Sequence, residues 1–135
     1  MRILGLDWGT VRIGAAVSDP EAEFAFALDR PIETKRPLLK IKAICEELEV
    51  GKVIIGLPKS LSGEDSSSSL KVEKFCEALK KTLAIPVETV DERFSTVQAQ
   101  SKLAEAGLSA KKQRPIKDNV AAQVMLQAYL DNRKK

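Results

Sequence analysis

The period of the hydrophobic residues changes once along this chain, at Pro37, and that change limits the fold more than any other feature. Before it, apolar residues come in short strand-like runs: Ile3-Leu4-Gly5-Leu6, then Ile13-Gly14-Ala15-Ala16-Val17, then a weaker stretch over 23–33 with Phe24, Phe26, Leu28 and Ile32. The first run is apolar on both faces and reads as a central strand, the third as an edge strand. Their connections are too short for crossovers, so the three should form an antiparallel meander. After Pro37, Ile41, Ile44, Cys45 and Leu48 fall at i, i+3, i+4 and i+7, which predicts a helix, with Gly51 expected to close it. A short buried strand over 53–57 stops at Pro58, and Val72, Phe75, Cys76, Leu79 and Leu83 make the stripe of a second helix that starts in the serines 66–69. A strand over 86–91 follows. Ser95 and Gln98 then have the spacing of a capping box for a helix reaching Gly107, and a last helix covers 117–131. The order βββαβαβαα predicts an α/β fold: a mixed five-stranded sheet, three antiparallel strands then two parallel, with helices on both faces. The 135 residues suit one domain, 1–135.

Composition removes several chemistries. The chain has no histidine, which excludes an imidazole base, a Ser-His-Asp system and any zinc site built on imidazole. Cys45 and Cys76 both occupy apolar slots of helical patterns and read as core residues. A metal would therefore be held by carboxylates, of which there are 19. The net charge of +3 is uneven: residues 1–100 carry 14 basic and 16 acidic side chains, and residues 101–135 carry 8 and 3. The cluster Lys111, Lys112, Arg114 and Lys117 suits a phosphate-backbone partner, and equally a solvated loop. No apolar run approaches the ~20 residues of a spanning helix, and Asp7 interrupts the apolar start, so the expected location is the cytoplasm, with no membrane partner.

Three acids stand where acids are costly or unusual. Asp7 ends an otherwise apolar strand, where burial of a carboxylate needs a metal ion or strong donors beside it. Gly9 leaves space next to it, and Thr10 offers a hydroxyl and an N–H to a phosphate. Asp91-Glu92-Arg93 closes the last strand; alternation puts Asp91 with Val87 and Thr89 and Glu92 on the opposite side. Asp118 opens the last helix on a face with Ala121, Ala122 and Met125, small residues that allow close packing on the sheet. Each acid also has an ordinary structural reading, as a turn residue or a favourable first-turn charge. Together they can converge at one sheet edge, and carboxylates gathered there repel one another unless a divalent ion relieves them. Oxygen ligands alone suit Mg²⁺ or Mn²⁺.

Four blocks carry a resemblance to a known family. The run from Asp7 to Asp19 resembles the opening signature of the YqgF (RuvX) family of pre-16S rRNA nucleases. Gly56-Leu57-Pro58 with Gly63, Asp91 to Thr96, and Asp118 with Ala121-Ala122 and Gln127 to Asp131 agree in the same order. The resemblance covers nearly the whole chain, apart from 108–117. It implies a ribonuclease H-like fold, in which the first and fourth strands lie side by side, and a kinship with Holliday-junction resolvases. It further implies a metal-dependent phosphodiesterase that processes the 5′ end of precursor 16S rRNA, with Asp7, Glu92 and Asp118 as catalytic and metal-binding acids for Mg²⁺ or Mn²⁺.

Thr10, Arg12, Lys59 and Arg93 are the candidate phosphate contacts, the three cations resting on charge and position more than on the family. Asp19, before Pro20, reads as a turn residue. The expected chemistry is in-line attack of an activated water, leaving a 5′-phosphate and a 3′-hydroxyl. The expected partner is nucleic acid, precursor rRNA ahead of branched DNA, and a homodimer is left open. The rival readings are a four-way-junction DNA resolvase, a nucleotide-binding module opened by Asp-x-Gly-Thr, and a non-catalytic RNA-binding assembly factor.

Overall fold

The first strand, β1 (Arg2–Asp7), lies in the middle of the sheet, as its two apolar faces require. The computed structural model describes residues 1–8, 12–28, 32–33, 35–57, 66–91, 105 and 117–133. After β1 come β2 (Arg12–Ser18), β3 (Ala25–Ala27), β4 (Ile32–Glu33), α1 (Pro37–Glu47), β5 (Val50–Leu57), α2 (Ser66–Thr82), β6 (Val87–Asp91) and α3 (Lys117–Arg133). The strand order is β3-β2-β1-β5-β6, with β4 also beside β2. β2 is antiparallel to β1, β3 and β4, whereas β1, β5 and β6 run parallel. The expected mixed sheet is present, with β1 and β5 side by side. The helix expected over 95–107 falls almost wholly outside the described residues.

Helices cover both faces. On one, Leu4, Leu6 and Ile55 pack with Ile41 and Cys45 of α1 and with Val72, Phe75, Cys76 and Leu79 of α2. On the other, Ile3, Ala16 and Ile54 pack with Ala122, Met125, Leu126 and Leu130 of α3. Both cysteines are buried and free, as their apolar slots suggest, and desolvation pushes the Cys45 thiol pKa up to about 11. Among the described residues no helix is long and apolar enough to cross a membrane.

Two expectations need correction. The stretch 23–33 is two short strands rather than one, which makes the sheet six-stranded. Ala27 pairs with Ala16 and Ile32 with Ile13, so the outer segment takes five steps where β2 takes three and cannot keep a continuous ladder. Pro31, which has no N–H to give, lies in that interval. Gly51 does not close α1. The helix stops at Glu47, Glu49 turns the chain at φ 54°, and Gly51 lies inside β5. A Cβ there would meet only the side chain of Met1, which is exposed and can shift aside.

Candidate active site

The parallel register brings the carboxyl ends of three strands together. Asp7, the last residue of β1, is level with Gly56 of β5, and Asp91, the last of β6, is level with Leu57. Asp7 and Asp91 therefore end strands on either side of β5, at the sheet edge where α/β proteins bind ligands. Asp7 also pairs with Gly14 of β2, and Arg12, exposed, starts β2 at this same edge opposite Glu33. Trp8, next to Asp7, packs its ring 4.8 Å from that of Phe75 in α2.

Strand parity separates the acids. Ile3 and Gly5, with the parity of Asp7, lie against α3, and so does Val90 of β6. Val87 packs in the opposite cluster, with α1 and α2. Position 91 has the parity of Val87, and position 92 that of Val90. Glu92 itself lies outside the described residues, as do Thr10, Lys59 and Arg93.

The third acid, Asp118, is the second residue of α3. That helix lies close to the sheet because β1 and β5 carry glycines beneath it. A Cβ on Gly5 would stand 3.0 Å from Leu126 Cβ, and one on Gly56 3.2 Å from Met125 Cε. Ala122 and Met125 are buried as the sequence predicts, but Ala121 is exposed, and among the described residues of the first turn the buried one is Asn119.

Asn119 begins a stripe that the hydrophobic reading missed. Asn119, Gln123 and Gln127 are four residues apart and all buried. The Ala15 N–H donates to Asn119 Oδ1 at 2.8 Å, and Asn119 Nδ2 donates to the Leu28 carbonyl at 2.6 Å. Since Leu28 N–H donates directly to Ala15 O at 3.0 Å, the carboxamide stands where the second ladder bond of that pair would be. Further along, Gln123 Nε2 donates to Ala25 O at 3.0 Å, and Gln127 Oε1 accepts from Ala25 N–H at 2.9 Å. Gln127 Nε2 also reaches Glu23 O, at 2.9 Å. The helix thus satisfies β3 as a neighbouring strand would. The signal in the sequence was three amides at a spacing of four, where an apolar stripe is the rule.

The amino ends of the parallel strands are arranged differently. Lys52 of β5 lies 2.5 Å from Glu88 Oε2 of β6 and donates to the Tyr129 hydroxyl at 2.6 Å, which donates to Glu88 at 3.1 Å. The hydrogen bond from Lys52 leads in holding the Glu88 carboxyl below the usual range, and that to Glu88 leads in raising Lys52. Asp19 is the turn residue it was expected to be: its Oδ1 accepts from the N–H groups of Glu23 and Phe24, at 2.7 and 2.8 Å. Burial opposes the charged form of Asp19, but these backbone donors outweigh it and lower its pKa.

The sequence matches the profile of the RuvX family, described as Holliday junction resolvase, over residues 1–132. The chain belongs to the RuvX family. A relative in Maridesulfovibrio salexigens, named "Putative pre-16S rRNA nuclease", is 38% identical over 132 residues, covering 96% of this chain and 98% of its own length. One of the same name in Clostridium acetobutylicum is 40% identical over 134 residues, covering 98% and 99%. Among solved structures, Thermus thermophilus RuvC in complex with a Holliday junction substrate superposes with a TM-score of 0.70 at 16% identity, over 99% of this chain and 96% of that one. The fowlpox virus resolvase in complex with Holliday junction DNA gives 0.59 at 15% identity over the full length of both. The fold is ribonuclease H-like.

Resolvase-like nucleases of this kind call for a divalent ion, and an acid at the end of β1 suits one. Asp7 is half-buried, and although the residue has other interactions, no described donor reaches its enclosed Oδ1. A carboxylate is a hard oxygen donor, the chemistry Mg²⁺ or Mn²⁺ prefers. Among the described residues no three potential ligands form a cluster.

Proposed function

We propose that this protein is a single-domain, divalent-metal-dependent nuclease that hydrolyses phosphodiester bonds in precursor 16S ribosomal RNA. The observation that carries the reading is the register that sets the ends of β1 and β6 on either side of β5, with the start of α3 tied to β2 one residue beyond the partner of Asp7. The names of the relatives, at about 40% identity and nearly full length, support the substrate class.

Asp7, Glu92 and Asp118 would hold Mg²⁺ or Mn²⁺. Glu92 is favoured over Asp91 by the family resemblance, and alternation along β6, were it to continue, would carry that position to the side of Val90, where Asp7 and α3 lie. When bound, such an ion polarises the scissile phosphate and lowers the pKa of the attacking water. The chain's own contribution is to keep three carboxylates in fixed relation and to align the phosphodiester. Arg12, exposed at the edge that Asp7 closes, is placed to bind a phosphate of the strand, and Thr10, Lys59 and Arg93 are assigned the same task. With no imidazole in the chain, proton transfer falls to water and carboxylates.

The test compares wild type with Asp7→Asn on a 5′-labelled precursor-type RNA and on a four-way DNA junction, in Mg²⁺, Mn²⁺ or EDTA. RNA cleavage that disappears with EDTA and with the substitution is the expected result. Cleavage confined to the junction would make the protein a resolvase. RNA binding without cleavage by either protein would make it an assembly factor.

A further inference from the structure

We propose that Asn119 is the positioning residue of the acidic site, fixing Asp118 by seating the first turn of α3 in an opening between β2 and β3. The proposal rests on the nuclease reading above and assigns a role within that site.

The carboxamide is fully buried and makes two hydrogen bonds of opposite sense, accepting from Ala15 N–H at 2.8 Å and donating to Leu28 C=O at 2.6 Å. A side-chain amide has the donor and acceptor of a peptide group, so it can replace one ladder bond between diverging strands. An aspartate at 119 would set an oxygen against the Leu28 carbonyl, and an apolar residue would leave two backbone groups unsatisfied. The placement links two of the three acids. Ala15 follows Gly14, and Gly14 is the cross-strand partner of Asp7, while Asn119 follows Asp118. The apolar anchors of α3, from Ala122 onward, lie beyond its first turn. Gln127, with the same kind of bonds to Ala25 and Glu23, lies two turns farther from the acids.

Mn²⁺ binding by calorimetry to wild type, Asn119→Ala, Gln127→Ala and Asp118→Asn provides the test. A residue that orients a metal-binding side chain typically controls affinity by about 10–100-fold. Asn119→Ala should raise the Mn²⁺ Kd by roughly that factor, and Gln127→Ala, which loses comparable hydrogen bonds, should change it by less than about twofold. Equal effects of the two substitutions, or none from Asn119→Ala, would overturn the positioning role. Wild-type binding indifferent to Asp118→Asn would overturn the metal reading itself, and this inference with it.

Amide exchange in the unsubstituted protein serves if Asn119→Ala does not fold. Opening at Asn119 frees the Ala15 N–H, so Mg²⁺ at 100 times its Kd should slow Ala15 exchange by about a hundredfold. The Ala25 amide, held by Gln127, should slow much less. Equal slowing at both amides, or none at Ala15, counts against the proposal.

Discussion

The two ends of β6 each carry an acid, Glu88 near the amino end and Asp91 at the carboxyl end. Glu88, near the amino end, is matched by Lys52 and the Tyr129 hydroxyl within 3.1 Å, and its charge is spent on holding β5, β6 and α3 together. At the carboxyl end Asp91 closes the strand and Asp7 closes the strand beyond β5, while Asp118 is the second residue of α3. The contrast follows from the polarity of parallel strands. Side chains at the amino ends meet the last turns of α3, which supply a hydroxyl, whereas β1 and β6 each finish on an aspartate at their carboxyl ends. The proposed nuclease site lies at the second end.

The largest expected effect comes from making one chemical change at both ends. Glu92→Gln should reduce RNA cleavage on the order of 10³-fold, while Glu88→Gln, four residues away, leaves turnover unchanged. Equal losses in single-turnover assays would erase the distinction. An intermediate effect is expected from Gly5→Ala. Its methyl would press on Leu126 Cβ at 3.0 Å, and overpacking of this kind costs about 1–3 kcal/mol, read as a lower denaturation midpoint. Because the same contact sets the height of α3 over β1, cleavage should fall by more than stability alone explains.

The smallest effect concerns the amino-end pair. Glu88 and Lys52 have side chains 48% and 24% exposed, so their interaction is worth less than about 1 kcal/mol. Glu88 has a depressed folded pKa, so its contribution is complete above the unfolded glutamate value of about 4.3 and fades as pH falls through the lower folded one. Lys52 is raised, so its contribution is complete below about 10.4 and is lost as pH rises through the folded value. Urea titrations of wild type and Lys52→Met should therefore differ through the neutral range and converge toward both extremes of pH. A constant difference would show that Lys52 stabilises through its hydrocarbon stem alone.

Periodicity made the meander, the two amphipathic helices, the buried cysteines and the central place of β1 legible, because each depends on local spacing and burial. It misread 23–33 because the number of residues between Ala27 and Ile32 matters only against the shorter path on β2. It misassigned Gly51 because a glycine that ends a helix and one inside a strand look alike in a sequence. The acids stood out singly, as charges in apolar or terminal positions. The preference for Glu92 over Asp91 came from the family resemblance, and Glu92 itself lies outside the described residues.

The sequence by itself determined that any metal chemistry here belongs to carboxylates, since it contains 19 acids and no histidine. It also determined the succession of elements, because hydrophobic period is a property of neighbours along the chain. Only the tertiary structure decided that β1 and β6 end on either side of β5, and that the first turn of α3 is held by an amide instead of an apolar contact. Those facts depend on groups far apart in sequence: Asn119 and Ala15 are separated by 104 positions, and no local preference encodes which backbone groups an interior amide will find.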